Sequence, residues 1–386
     1  RARRYAATAA AAGQAAGRAA GGLVVRGPFT SATGYGHFCQ RLIRALLDRG
    51  VPLQTIGIMG PESWAPETLD RPVPARAVVN CLIPLAVEPV PGLATVTFSM
   101  FEGTRIPMAW RRQCERSDLI VVPCESSRLA WAGRGFPEDR LRVCPLGVDG
   151  VEDDGAAALT LVDSQGRPVS SYRHRFLNVS DFIPRKNVDG LLRVWLRATA
   201  RGDDAVLILK LGKGTTTSPL GELGALVRLA ESAVGKRMAE AAPVVLIDRL
   251  FSDAEMTGLY KAASHYWSLS HGEGWDLPMS KAGTLGLGLI APRHSAYVDY
   301  LDDRVAHMIP AAVGPAHLPG RAEFYQPFHG LDWWNPDEDA AAGILAGIIR
   351  GTDAEPRSAR ARLLERFTWE RSADRLLAIL DDAGLR

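Results

Sequence analysis

Two blocks of alternating strand and helix patterns, parted by a turn-rich stretch between residues 150 and 175, limit the fold of this chain more than any other feature. In the first block "GLVVRG" (22–27) reads as a short buried strand, and a glycine-rich turn leads from it into "HFCQRLIRALLDRG". Phe38, Leu42 and Leu46 recur there at the spacing of one helix face, and Gly50 supplies a stop. "DLIVVP" (118–123) and "RLRVCPLGVD" (140–149) read as further buried strands. The interruption contains "DSQGR", whose turn formers suit the tip of a hairpin. Alternation then resumes with "FLNVS", "AVLILKLG", "VVLID", "HYWSLS" and "LGLIAP" as strands. The intervening helices are "NVDGLLRVWLRA", "SDAEMTGLYKAA", where Ser252 and Glu255 stand at capping-box spacing, and "LPMSKAGTLG". A later helix, "NPDEDAAAGILAGIIRG", is expected to take Asn335 as its cap and Pro336 as its first residue. The pattern predicts an α/β protein of two parallel-sheet domains. Ligands of such sheets bind beyond the carboxyl ends of the strands, so chemistry is expected in strand-to-helix loops around an interdomain cleft.

Composition narrows the function classes. The chain has 386 residues, 47% hydrophobic and 23% charged, which fits a globular protein with a sizeable core. A net charge of +2 gives no reason to expect nucleic-acid binding. No apolar run approaches the roughly 18 residues of a membrane-spanning helix, so at most peripheral membrane contact is expected. Five scattered cysteines without CxxC spacing read as reduced, mostly buried thiols of a cytoplasmic protein. No His, Cys and Asp cluster has metal-ligand spacing. The opening "RARRYAATAAAAGQAAGRAAGG" (1–22) is a low-complexity extension that contributes nothing to the fold argument.

Three loops stand out. "RGPFTSATGYGHF" places Gly34 and Gly36 just ahead of a helix, where backbone amides can approach an anion; a tight turn fits equally well. The spacing is not GxGxxG, which counts against a nicotinamide dehydrogenase on the same kind of sheet. "SDFIPRKNVDG" sets Arg185 and Lys186 directly before a helix capped by Asn187. Two cations at a helix amino end oppose its dipole unless something anionic lies between them, and a diphosphate would satisfy both. "HGEGWDLP" holds Glu273 between Gly272 and Gly274, at the end of a strand and just ahead of a helix opened by Pro278. Glycines on both sides let that carboxylate stand against a ligand. "PRHSAYVDYLDD" follows another strand and brings His294, Ser295 and Tyr297 as candidate lining residues, with a structural role for the histidine equally open. Trp195, Trp267 and Trp369 stand at core-like spacings.

Taken in order, these segments resemble the retaining, GT-B-fold glycosyltransferases of family four. "EGWDLPMSKAGTLG" is similar to the family's glutamate-bearing signature, and "RLFSDAEMTGLYKAASHYWSLSHGEGWDLP" to the run-up to it. "SDFIPRKNVDGLL" resembles the donor-phosphate segment, with Lys186 on the phosphate lysine. "RSDLIVVPCESSR…RGFPEDRLRVCPLGVD", "LDWWNPDEDAAAGILAGII" and "RFTWERSADRLLAIL" are similar to the end of the amino domain and the closing helices. The resemblance implies two Rossmann-like domains facing a central cleft, with the final helix crossing back to the first. The implied division is 23–165 for an acceptor domain, 166–355 for a donor domain and 356–386 for the crossover helix.

On that resemblance the protein transfers a sugar, with retention, from a nucleoside-diphosphate sugar to a glycan, glycolipid or small-molecule acceptor, without a tightly bound cofactor or metal. Glu273, Lys186 and Glu102 are the implied catalytic residues: Glu273 against the donor sugar, Lys186 on the leaving diphosphate, Glu102 in the loop "TFSMFEGTRIP" orienting the acceptor. Gly34, Gly36, Ser180, Arg185, Arg249, His271, Gly274, Trp275, Asp276, Leu277 and Lys281 complete the implied donor site. Three positions depart from the family pattern. Asp181 takes the place of an arginine, with Arg185 positioned to compensate; Asp276 takes that of a glycine; and Lys281 stands where the family's second glutamate accepts hydrogen bonds from the ribose. A lysine is donor-only and cannot repeat that role. Lys281 therefore implies either a variant nucleotide contact or a nucleotide-sugar-binding relative that is non-catalytic or weakly active.

Overall fold

The computed structural model describes residues 21–29, 33–58, 68, 71–149, 156–212, 219–318, 327–353 and 357–386. The extension at 1–20 lies outside them. The chain divides into two compact units, one formed by Arg1–Val148 with Arg366–Arg386 and the other by Asp149–Glu365.

The first unit is built on six parallel strands, β1 (Gly22–Gly27), β2 (Leu53–Gly57), β3 (Ala75–Cys81), β4 (Ala94–Phe98), β5 (Leu119–Val122) and β6 (Leu141–Val143), in the order β2-β1-β3-β4-β5-β6. Val25 pairs with both Thr55 and Val79, and Val79 with Val96. The apolar strands are buried on both faces, as parallel sheets require. Helix α1 (Gly34–Asp48) follows β1 and buries Phe38, Leu42 and Leu46, the face read from the sequence. Gly50 has a φ of 69° and closes that helix in the left-handed conformation glycine adopts freely. The last helix, Trp369–Asp382, belongs to this unit. Gly147 packs on it so tightly that a Cβ would lie 2.4 Å from the Trp369 backbone, and Arg49 pairs with Asp374 through Nη2 and Oδ2 at 2.8 Å.

The second sheet is also six-stranded and parallel, running β12 (His307–Ile309), β11 (Gly288–Pro292), β10 (His265–Trp267), β7 (His174–Asp181), β8 (Ala205–Gly212), β9 (Val244–Ile247) from edge to edge. Phe176, Trp195, Leu207, Trp267 and Ile290 are fully buried in its core. From β7 the chain builds outward to β8 and β9, then returns to lay β10 against the other side of β7. The reversal makes the gap between the carboxyl ends of β7 and β10 the switch point of the sheet.

Three expectations need correction. "HYWSLS" is a strand only to Trp267: the Ser268 amide still bonds Ile290 O of β11, but from Leu269 the chain is bonded to the loop after β7, Leu269 O by Asn187 Nδ2 and the His271 amide to Arg185 O. "RLRVCPLGVD" is a strand only over β6. Asn335 and Pro336 do not open the helix Glu338–Arg350: they end β14 (Asp332–Pro336), which pairs antiparallel with β13 (Ala311–Pro315). Asp337 is the cap, its carboxylate accepting from the amides of Asp339 and Ala340. The capping box of Ser252 and Glu255 and the "DSQGR" turn are present, the latter closed by the amide of Asp163 on Arg167 O. All five cysteines are free and buried.

Candidate functional site

The loops leaving β7 and β10 are bonded together along their length. After β7, Pro184–Lys186 forms one 3₁₀ turn and Asn187 caps the helix Val188–Ala198, its Oδ1 accepting from the Gly190 amide at 3.1 Å. A Cβ at Gly190 would lie 2.4 Å from that Oδ1, so the cap needs glycine there. The Asn187 Nδ2 reaches across to Leu269 O at 3.0 Å, and the His271 amide donates to Arg185 O at 2.8 Å. Arg185 Nη1 in turn donates to Gly272 O at 2.5 Å.

This lacing brings three sequence-flagged side chains together. Glu273 Oε1 accepts from Lys186 Nζ at 2.6 Å, and Oε2 pairs with Arg185 Nη1 at 3.0 Å. The anion that two cations at a helix amino end demand is thus present within the chain. Glu273 is 4% exposed. Burial alone would raise its carboxyl; Arg185 and Lys186 outweigh that and hold it at about 2, so it stays ionised. Asp276 behaves oppositely. Burial raises it to about 6, with Lys186 pulling down and Glu273 pushing up. Its Oδ1 caps the helix Leu277–Thr284 through the Met279 amide at 3.3 Å, and its Oδ2 accepts from the Tyr297 hydroxyl at 2.7 Å.

Backbone strain gathers at the same place. Among the described residues, the non-glycine positions with left-handed φ are Asn187 (53°), Asp276 (64°) and Ser295 (45°), and all three border this site. Such conformations persist only where the surroundings over-determine them, as they do at ligand sites. Asp276 stands where the resembled family has glycine, and aspartate is among the few residue types that visit the left-handed region.

The other flagged residues make different contacts. Trp275 is a packing residue, its ring 5.0 Å from Tyr300 and its carbonyl holding the Tyr300 hydroxyl at 2.9 Å. Gly274 is buried and Leu277 half-buried on the same turn. Ser180 donates to Asn178 Oδ1 at 2.8 Å. Arg249 follows β9, two strands from β7, where it bonds Glu255 at 2.7 Å and stacks over Phe251 at 4.1 Å. Lys281 Nζ lies 3.6 Å from Asp149 Oδ2. In the first unit, Gly34 has open space where a Cβ would sit, whereas the Gly36 amide is taken by the Thr33 hydroxyl at 3.1 Å. Tyr35 bonds Ser99 Oγ at 3.0 Å and the Met100 amide at 3.2 Å, with half-buried Glu102 close enough for its charge to act on that phenol.

Sequence reasoning passed over Ser270, Trp333 and Trp334. His271 stacks on Trp333 at 4.2 Å with an interplanar angle of 5°, and its Nδ1 donates to Trp334 O at 2.8 Å. The signal was the Trp-Trp doublet of β14, which the helix reading absorbed. Among the described residues there is no group of His, Cys, Asp and Glu that could hold a metal ion, and no helix is long and apolar enough to cross a membrane.

Comparison with known proteins places the fold. No family model and no curated protein matches the sequence. Solved structures do match. The Anabaena protein HepE, solved with UDP and glucose, aligns with a TM-score of 0.62 at 11% identity over 94% of this chain and 100% of its own. Sucrose-phosphate synthase from Thermosynechococcus elongatus aligns at 0.61 with 13% identity over 94% of this chain and 99% of its own. The lipopolysaccharide outer core galactosyltransferase WaaB aligns at 0.59 with 12% identity over 93% and 99%. At such identities the shared property is architecture: two parallel six-stranded sheets with flanking helices, the GT-B fold of glycosyltransferases.

Proposed function

We propose that this protein is a retaining glycosyltransferase, of the family-four kind, that uses a nucleoside-diphosphate sugar. The observation that carries the reading is the buried Glu273 held between Lys186 and Arg185 at the switch point of the second sheet. Two cations and one carboxylate leave the group with a single net positive charge, suited to a diphosphate. Lys186 and Arg185 stabilise the charge that develops on the departing nucleoside diphosphate. Glu273 stays ionised, so it serves as a hydrogen-bond acceptor for donor-sugar hydroxyls and as counter-ion to the cations, not as an acid. The donor is the co-substrate, and the acceptor is a glycan, glycolipid or small molecule, oriented in part by Glu102.

A thermal-shift screen against UDP, GDP, ADP and dTDP sugars tests the binding, because a ligand of the native state raises the melting temperature. Proton NMR of the sugar first released from the responding donor then reads the anomeric configuration; inversion would remove the retaining mechanism. No shift with any nucleotide sugar would sink the proposal. A second reading, binding without efficient turnover, is favoured by Lys281 standing beside Asp149. Saturable donor binding with no hydrolysis or transfer would select it.

A further inference from the structure

The carboxylate of Glu273 is aimed by its cations, but its backbone is held from another strand. The Glu273 amide donates to Ser295 Oγ at 3.0 Å, and the Glu273 carbonyl accepts from the Ala296 amide at 3.3 Å. Ser295 lies in the loop after β11, and its own left-handed backbone marks a position imposed by its surroundings. Beside it, His294 is 3% exposed and makes two hydrogen bonds, one between Nδ1 and Ser295 Oγ and one between Nε2 and Ser270 O, each 2.9 Å.

The donors in this chain can be assigned from chemistry alone. Ser270 O is a carbonyl and only accepts, so the imidazole hydrogen sits on Nε2. Nδ1 then presents a lone pair and takes the Ser295 hydroxyl hydrogen. A serine hydroxyl that donates to Nδ1 keeps its own lone pairs for the Glu273 amide. The order Glu273 N–H to Ser295 Oγ–H to His294 Nδ1, with Nε2–H to Ser270 O, satisfies every group once. Burial keeps the ring uncharged, lowering it to about 3. Trp334 stacks on it at 5.2 Å with an interplanar angle of 11°, which fixes the plane in which both nitrogens point.

We infer that His294 is a positioning residue: through Ser295 it sets the backbone of Glu273, and through Ser270 O it ties that setting to the loop holding Lys186 and Arg185. Ser270 completes the link, since its single hydroxyl hydrogen lies between two carbonyl acceptors, Arg185 O at 3.2 Å and Gly272 O at 3.0 Å. The role in donor handling rests on the glycosyl-transfer reading above; the hydrogen-bond relay does not.

His294→Phe keeps a ring for Trp334 but removes both nitrogens, Ser295→Ala removes the middle link, and His294→Gln retains one donor and one acceptor. Hydrogen exchange of the full chain, read on the peptide spanning Gly272–Trp275, should speed by about tenfold in the first two variants and recover in part in the third. Exchange across β7 and β8 should stay unchanged. The KM for the nucleotide sugar that responds in the thermal-shift screen should rise by about tenfold in His294→Phe, with kcat changing less. Unchanged exchange at Gly272–Trp275, or equal acceleration throughout the second sheet, would overturn the inference. Wild-type protein that does not bind UDP or any other nucleotide sugar, with the local exchange result intact, would instead refute the glycosyl-transfer reading and leave the relay standing.

Discussion

The carboxyl ends of the two sheets solve the same topological problem with different chemistry. Both sheets reverse their building direction beside the strand that comes first in their unit, β1 in one and β7 in the other. At the first reversal Tyr35 bonds a serine hydroxyl and the Met100 amide with the charge of Glu102 nearby, Gly34 leaves open space, and Arg26 of β1 pairs with a carboxylate that is exposed, Glu88, at 2.9 Å. At the second, a carboxylate and two cations are buried together, and three non-glycine residues take left-handed backbone around them. Buried charge and strain both lower stability unless the geometry is tightly held. Their concentration in one unit is the contrast on which the proposed donor site rests.

The contrast is broken most severely at Glu273. Glu273→Ala leaves Lys186 and Arg185 facing each other in a mostly buried site, a loss of about 3–5 kcal/mol by urea unfolding. Tyr35→Phe, the corresponding deletion in the first unit, should cost only about 1 kcal/mol. Near-equal losses would show that the two edges are energetically alike. Lys186→Met comes next: donor turnover should fall by about 10²–10³-fold, the effect of removing a group that meets developing charge. Its measure is initial-rate hydrolysis of the donor identified by thermal shift, and a change below threefold would take Lys186 out of the chemistry.

Asp276 sharpens the comparison through pH. Its carboxyl is raised from 3.8 to about 6, so its contribution to stability is fully present below about pH 4 and is lost as pH rises through 6. Glu273 has the opposite sign: held at about 2, it contributes above about pH 4.5 and loses that contribution only in strong acid. Asp276→Asn can still cap the helix and tolerate the left-handed backbone, but it carries no charge. Between pH 4 and 8 the variant should gain about 1–3 kcal/mol relative to wild type, measured as the difference in unfolding free energy. Parallel stability profiles would show that Asp276 titrates at its ordinary value.

How much of this was legible in the sequence depends on what each residue encodes locally. Apolar runs such as that of β8 and the helix face of Phe38, Leu42 and Leu46 announce themselves, because burial writes a periodic pattern. Strand β2 does not, since buried Gln54 and Thr55 interrupt its apolar run, the latter bonded to Thr68. Asn335 and Pro336 imitate a helix start, yet the strand pairing with Ala311 and Ala312 claims them and leaves capping to Asp337. At the site, Arg185, Lys186 and Glu273 were each visible as unusual loop residues. That they meet was not, because Lys186 and Glu273 are 87 positions apart and spacing of that length carries no distance. Ser270 was silent for the same reason, and the tryptophan doublet of β14, though visible, named no partner: the partners of all three are supplied only by tertiary structure.

Lys281 gives the smallest expected effect on stability and the most direct choice between the two functional readings. Its ammonium lies 3.6 Å from Asp149, with the two side chains 28% and 16% exposed, a loose, partly solvated pair. Lys281→Glu sets a carboxylate against Asp149 and should cost less than about 1 kcal/mol of stability, because solvent screens such contacts. A lysine that merely balances Asp149 would leave donor affinity unchanged in that variant. A lysine that contacts the nucleotide would lose a donor-only group and gain a repelled anion, so affinity should fall by about tenfold or more. We expect the fall, read as the dissociation constant of the responding nucleotide sugar at constant ionic strength. Stronger binding together with faster transfer would instead show that glutamate is the functional residue at this position, and that the wild-type chain binds its donor more than it uses it.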